Sequence, residues 1–128
     1  MLLMNIDKKN EIIQHAREAQ PREACGILAG KNGAVEKVIK MKNISDRPED
    51  CYFMDSLEQL KILKEIRKLG QKMLGIYHSH PRSSAYPSAR DVELAYYEDV
   101  SYVIVSPTEI KAYSIVGGKI SEEEVKYL

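Results

Sequence analysis

The chain has 128 residues, 44% of them hydrophobic and 30% charged, with 19 lysines and arginines balancing 19 aspartates and glutamates. That length suits one domain burying roughly two-thirds of its unfolded surface, and zero net charge excludes a general nucleic-acid binder, which would carry a basic excess. No apolar run approaches the roughly 20 residues that cross a bilayer, and Met1–Ile6 lacks the basic start and long apolar core of a signal peptide, so a cytoplasmic chain with no membrane partner is expected.

In chain order, Asp7 is the expected N-cap of a first helix over Lys8–Ala19, with Ile12, Ile13, Ala16 and Ala19 on its apolar stripe. His15 in this helix reads as a solvated surface side chain, because no second ligand stands at helical spacing. Gln20-Pro21 ends the helix, since a residue before proline disfavours helical dihedrals. Arg22–Gly30 has strand character, with Glu23 at its start, and Asn32-Gly33 is a hairpin signal turning it into a return strand over Ala34–Met41. Asn43–Cys51 is polar and turn-like.

A second helix opens at Ser56, with Ser56 and Gln59 as a capping box, Leu60, Leu63, Ile66 and Leu69 as its core face, and Gly70 as a left-handed stop. The next apolar run, Gly75-Ile76-Tyr77-His78-Ser79-His80, reads as a strand that Pro81 terminates. Ser88 starts a third helix containing Val92, Leu94 and Ala95; Tyr102–Val105 and Ile110–Val116 are strands, and Gly117-Gly118 turns the latter into Lys119-Ile120. The tail 121–128 is compatible with a strand or a short helix. Cys25 and Cys51 form no CxxC pair, so free thiols are expected in a reducing compartment, with a disulfide between them left open. The expected fold is α/β, a single mixed-sheet domain over residues 1–128 with about three helices packed on it.

Two of the three histidines, His78 and His80, stand two apart, so on a strand both imidazoles project from the same face. A catalytic zinc has three protein ligands and an exchangeable fourth position. Asp91, eleven residues after His80 and in the first turn of the helix that Ser88 starts, is the best third candidate. Each piece alone has a plainer explanation: a lone His-x-His can be a loop hydrogen bond, Ser-x-x-Asp is a common helix cap, and Glu23 alone is a carboxylate at a strand start. The combination, His78-x-His80-Pro81, six residues, then Ser88-x-x-Asp91, is far more specific.

That combination resembles the signature of the JAMM (MPN+) zinc metalloproteases, the Mov34/PAD-1 type, in which a glutamate precedes His-x-His-Pro, six residues and Ser-x-x-Asp. Glu23, within Pro21-Arg22-Glu23-Ala24-Cys25-Gly26, matches the upstream glutamate, and the resemblance covers essentially the whole chain. It implies the JAMM/MPN, cytidine-deaminase-like architecture; Zn²⁺ held by His78, His80 and Asp91; Glu23 as general base and acid; and Ser88 as oxyanion donor. It further implies hydrolysis of the amide after the C-terminal Gly-Gly of a ubiquitin-like protein, with small archaeal modifiers or sulfur carriers as partners of a compact prokaryotic member.

The alternatives are a biosynthetic peptidase releasing an amino acid such as cysteine from a sulfur carrier, and a non-catalytic scaffold, which usually lacks a ligand. A zinc nucleoside deaminase needs His-x-Glu and Pro-Cys-x-x-Cys, and this chain has neither. Segments 43–55 and 82–87 are the expected walls of a narrow glycine-selecting groove, and a substrate tail could add there as a strand.

Overall fold

Asn32 and Gly33 both adopt left-handed φ, 53° and 77°, the conformation that lets a two-residue turn follow the twist of its flanking strands. They join β2 (Cys25–Lys31) to β3 (Ala34–Met41). Before this hairpin come β1 (Leu2–Met4) and α1 (Ile6–Ala19); after it come α2 (Ser56–Lys68), β4 (Lys72–Ser79), α3 (Ala89–Glu93), β5 (Ser101–Val105), β6 (Ile110–Val116), β7 (Lys119–Glu123) and β8 (Val125–Tyr127). This computed structural model describes residues 1–128.

The strands form one sheet in the order β7-β6-β5-β4-β2-β3-β1-β8. The β1–β3, β1–β8 and β4–β5 pairs are parallel and the others antiparallel. β7 and β8 are separated only by Glu124, yet they stand at opposite ends of the strand order. Chain connectivity therefore brings the end of β7 next to the start of β8, where the Leu2 N–H of β1 donates to the Glu124 carbonyl at 3.0 Å alongside the β1–β8 ladder. The tail is thus strand.

Side chains alternate between the two faces of each strand. One face buries Leu28, Tyr77, Val103 and Val105 against Ile12, Ile13 and Ala16 of α1; the other buries Cys25, Ile27, Ile76 and Tyr102 with Tyr52, Met54 and Ile62 of α2. Gly26 is required by the first packing: a Cβ there would lie 2.5 Å from the Ile39 carbonyl and closer still to the ring of Tyr77, so the bare backbone is what lets that ring cross β2.

Several local expectations are corrected. The first helix is capped by Asn5, whose side chain accepts from the Lys8 N–H at 3.0 Å, so Asp7 lies inside it. His15 is half-buried, not solvated: its Nδ1 lies 2.7 Å from the Tyr77 hydroxyl, and burial, followed by the Lys40 charge, lowers its pKa. Asp55 caps α2 through the Leu57 N–H, displacing the Ser56–Gln59 box; Gln59 instead reaches the Tyr97 hydroxyl at 3.1 Å. Only Ile66 of the expected core stripe is buried; Leu60 and Leu69 are 50% and 57% exposed. The helix is rotated so that Ile62 and Ile66 meet the sheet, a tertiary choice that periodicity leaves open when apolar residues crowd one half of a helix. Finally, α3 ends at Glu93, before Leu94 and Ala95.

Candidate metal centre

β4 and β5 run parallel, and the chain leaves both at the same end. There His78, last but one in β4, and His80, just past it, extend the face that carries Ile76. The His80 N–H still donates to the Val105 carbonyl at 2.8 Å, so its backbone stays in sheet register before Pro81 turns away. The loop 81–88 then brings α3 back over this end. Ser88 is its N-cap, and the capping box is complete: Ser88 Oγ accepts from the Asp91 N–H at 3.1 Å, while the Ser88 N–H donates to Asp91 Oδ2 at 2.9 Å.

Asp91 Oδ2 therefore points at both histidines. It lies 3.1 Å from His78 Nε2 and 3.1 Å from His80 Nε2, and the two nitrogens are 3.0 Å apart. All three side chains are buried. His80 Nδ1 donates to the Ser84 carbonyl at 2.7 Å, which leaves its Nε2 lone pair facing the cluster. Without a metal, two imidazole nitrogens and one carboxylate oxygen this close hold together by sharing protons, whereas a cation among them would satisfy all three lone pairs at once. Ligand atoms around a tetrahedral zinc with ~2.0–2.1 Å bonds stand ~3.3 Å apart, so the donor set fits such an ion with little adjustment.

The electrostatics agree. Burial pushes the Asp91 carboxyl up, but hydrogen bonds from His78 and His80, the His78 charge and the Ser88 N–H outweigh it and hold the group well below the usual carboxylate range. Burial lowers the pKa of His78. Burial also presses on His80, yet its bonds to Asp91 and the Ser84 carbonyl, with the charges of Asp91 and Glu23, leave it raised.

Glu23 precedes β2. The register pairs Cys25 with His78, and the Ser79 N–H bonds the Ala24 carbonyl at 3.0 Å, so Glu23 falls beside His80 on the same face. It is 5% exposed, and its Oε1 has no hydrogen-bond partner. Its backbone is fixed on both sides: the N–H donates to the Pro48 carbonyl at 2.7 Å, and its carbonyl accepts from Asn43 Nδ2 at 3.0 Å. Ser79, on the opposite face, has its hydroxyl accepting from the Ala24 N–H at 2.8 Å, which ties the two strands together next to Glu23. Ser88 is exposed, and its hydroxyl proton is not committed to any acceptor.

Sequence reasoning missed three contributors. Tyr52 stacks on His78 with ring centroids 4.5 Å apart and planes at 25°. Asn43 organises segment 43–53, bonding the carbonyls of Glu23, Pro48 and Cys51 and the N–H groups of Ser45 and Phe53. The Ser84 carbonyl is a backbone group with no signal in residue type. An Asn opening a turn-rich stretch was the one available hint for Asn43. Both cysteines are free.

Burial of Glu23, reinforced by Asp91 and Asp50 and opposed by the His80 charge, raises its pKa from 4.5 to about 8 in the metal-free protein. A carboxyl raised by folding stabilises the native state fully below 4.5 and loses that contribution as pH climbs through about 8. Urea midpoints of metal-free protein are expected to fall across that window, and Glu23→Gln should make the fall shallower. Equal slopes for both proteins would remove Glu23 as its source.

Residues 8–116 match the family described as prokaryotic homologs of the JAB domain. The chain is 40% identical to a CysO-cysteine peptidase of Mycobacterium tuberculosis, over 98% of this chain and 90% of that one. It is 35% identical to a desampylase of Haloferax volcanii, over 97% and 94%. A solution structure of a protein from Desulfitobacterium hafniense superposes with a TM-score of 0.88 at 37% identity, covering 100% of this chain and 93% of that one.

Proposed function

The chain belongs to the prokaryotic JAB-domain family, and from that premise we propose that it is a zinc-dependent peptidase cleaving the amide bond after the C-terminal Gly-Gly of a ubiquitin-like or sulfur-carrier protein conjugate. The proposal takes residues 1–128 as one catalytic domain working in the cytoplasm. The observation that carries it is the convergence of His78 Nε2, His80 Nε2 and Asp91 Oδ2 at 3.0–3.1 Å beside the buried Glu23.

In this reading His78, His80 and Asp91 hold zinc, which when bound acidifies water towards neutrality and polarises a carbonyl. Glu23 accepts the proton of the attacking water. Burial raises its pKa to about 8 without metal, so the carboxyl retains a proton taken from water until the amine accepts it. The Ser88 hydroxyl donates to the oxyanion of the tetrahedral intermediate while its oxygen continues to cap α3. When the carbon–nitrogen bond breaks, Glu23 returns its proton to the departing amine, which leaves neutral. Ser88→Ala is expected to lower kcat on the order of 10²–10³, the usual loss of an oxyanion donor, with KM nearly unchanged. A kcat equal to wild type in a steady-state conjugate assay would remove Ser88 from this role.

Two leaving groups are compatible with this site. The desampylase relative supports a modifier conjugate, and the relative named a CysO-cysteine peptidase supports a small amino acid. The complete set of Glu23, His78, His80, Ser88 and Asp91 speaks against a non-catalytic scaffold. Incubation with Gly-Gly adducts of lysine or cysteine, with and without chelator, read by product mass, separates the cases. Cleavage that survives complete metal removal would overturn the metallopeptidase reading.

A further inference from the structure

We propose that Tyr52 is a positioning residue for His78, holding by stacking an imidazole whose Nδ1 no protein group bonds; the inference rests on reading His78 as a metal ligand. The two histidines are oriented by different means. His80 is fixed at the far side of its ring by the 2.7 Å bond from Nδ1 to the Ser84 carbonyl. His78 Nδ1 is buried, and no protein group hydrogen-bonds it. A metal-ligating imidazole normally has its second nitrogen held by a neighbouring group, and no carboxylate or carbonyl of this chain does that for His78.

Tyr52 supplies a substitute. Its ring lies on the His78 imidazole at 4.5 Å and 25°, whereas His80 meets that imidazole edge-on at 4.8 Å and 62°. Stacking fixes the plane only if the stacking partner is itself fixed, and Tyr52 is. It is 8% exposed, and Asn43 pins the peptide groups on both sides of it. Asn43 Nδ2 donates to the Cys51 carbonyl at 3.1 Å, and Asn43 Oδ1 accepts from the Phe53 N–H at 3.1 Å.

The same ring also lines an apolar groove of about 400 Å³ with Phe53, Met54, Leu60 and Tyr96. Tyr52 thus stacks on a metal-site histidine and also lines that groove.

The test is metal affinity of the apoprotein, measured by zinc competition with a chromophoric chelator, for wild type, Tyr52→Phe, Tyr52→Leu and His78→Ala. Tyr52→Leu is expected to weaken zinc binding by about 10–100-fold, the usual effect of losing a group that orients a ligand. Tyr52→Phe, which keeps the ring, should bind as wild type. With three histidines in the chain, ring signals in NMR spectra of the apoprotein are assignable. Tyr52→Leu should shift and broaden those of His78 and leave those of His15 in place. Should Tyr52→Leu not fold, Tyr52→Met, flexible and without a planar ring, carries the same expectations. Wild-type affinity and unmoved His78 signals without the aromatic ring, while His78→Ala loses zinc, would overturn the role of Tyr52 alone. Undiminished zinc in His78→Ala would instead overturn the ligand assignment beneath it.

Discussion

Glu23→Gln is expected to keep stoichiometric zinc and to lower kcat on a Gly-Gly conjugate by roughly 10²–10⁴, the range a positioned acid–base group contributes. Glutamine keeps the shape and cannot exchange a proton at this position. The bonds that place residue 23 are backbone bonds, to the Pro48 carbonyl and from Asn43, and survive the substitution. Oε1 makes no hydrogen bond to lose. Because the group acts on a proton in flight, KM should move little while kcat falls. Metal analysis and single-turnover cleavage of the same preparation check both halves, and wild-type turnover would end the acid–base assignment.

Asp91→Ala is expected to abolish stoichiometric metal binding and, with it, activity. Affinity should fall by more than the roughly 100-fold that marks loss of a group merely orienting a ligand, because Asp91 offers the one anionic atom of the cluster and is buried against both imidazoles. A second consequence is local. Asp91 Oδ2 also accepts the Ser88 N–H, so α3 loses half of its capping box while the backbone bond to Ser88 Oγ remains. Asp91→Asn separates the two effects, since the amide oxygen can still accept the Ser88 N–H but brings no charge. It should preserve α3 and still bind zinc poorly. Zinc measured in both purified variants decides the point, and full occupancy in Asp91→Ala would exclude it as a ligand.

Much of this site was legible because its parts are local in sequence. The two-residue repeat of a strand is enough to aim His78 and His80 the same way, and Ser88-x-x-Asp91 announces a helix start by the spacing of its cap. Both appear as read. What misled was local ambiguity. Asp7 and Ser56 are good capping residues beside Asn5 and Asp55, which do the capping instead. α2 has enough apolar positions for two overlapping stripes, and only packing against β4 and residues 94–97 chose between them.

By itself the sequence determined the chemistry on offer: two imidazoles on one strand face, a carboxylate in the first turn of a capped helix, and a motif that matches a family with a glutamate far upstream. Tertiary structure alone decided what meets what. Glu23 reaches His80 because β2 pairs with β4, a contact between residues more than fifty positions apart. Tyr52 stacks on His78 because Asn43 folds segment 43–53 over the strand end, and β7 and β8, joined through Glu124, stand at opposite ends of the strand order. The physical reason is one of range. Periodicity and capping depend on neighbours a few residues away and are written in the local sequence, whereas strand order and loop docking are set by the free energy of the whole packed sheet.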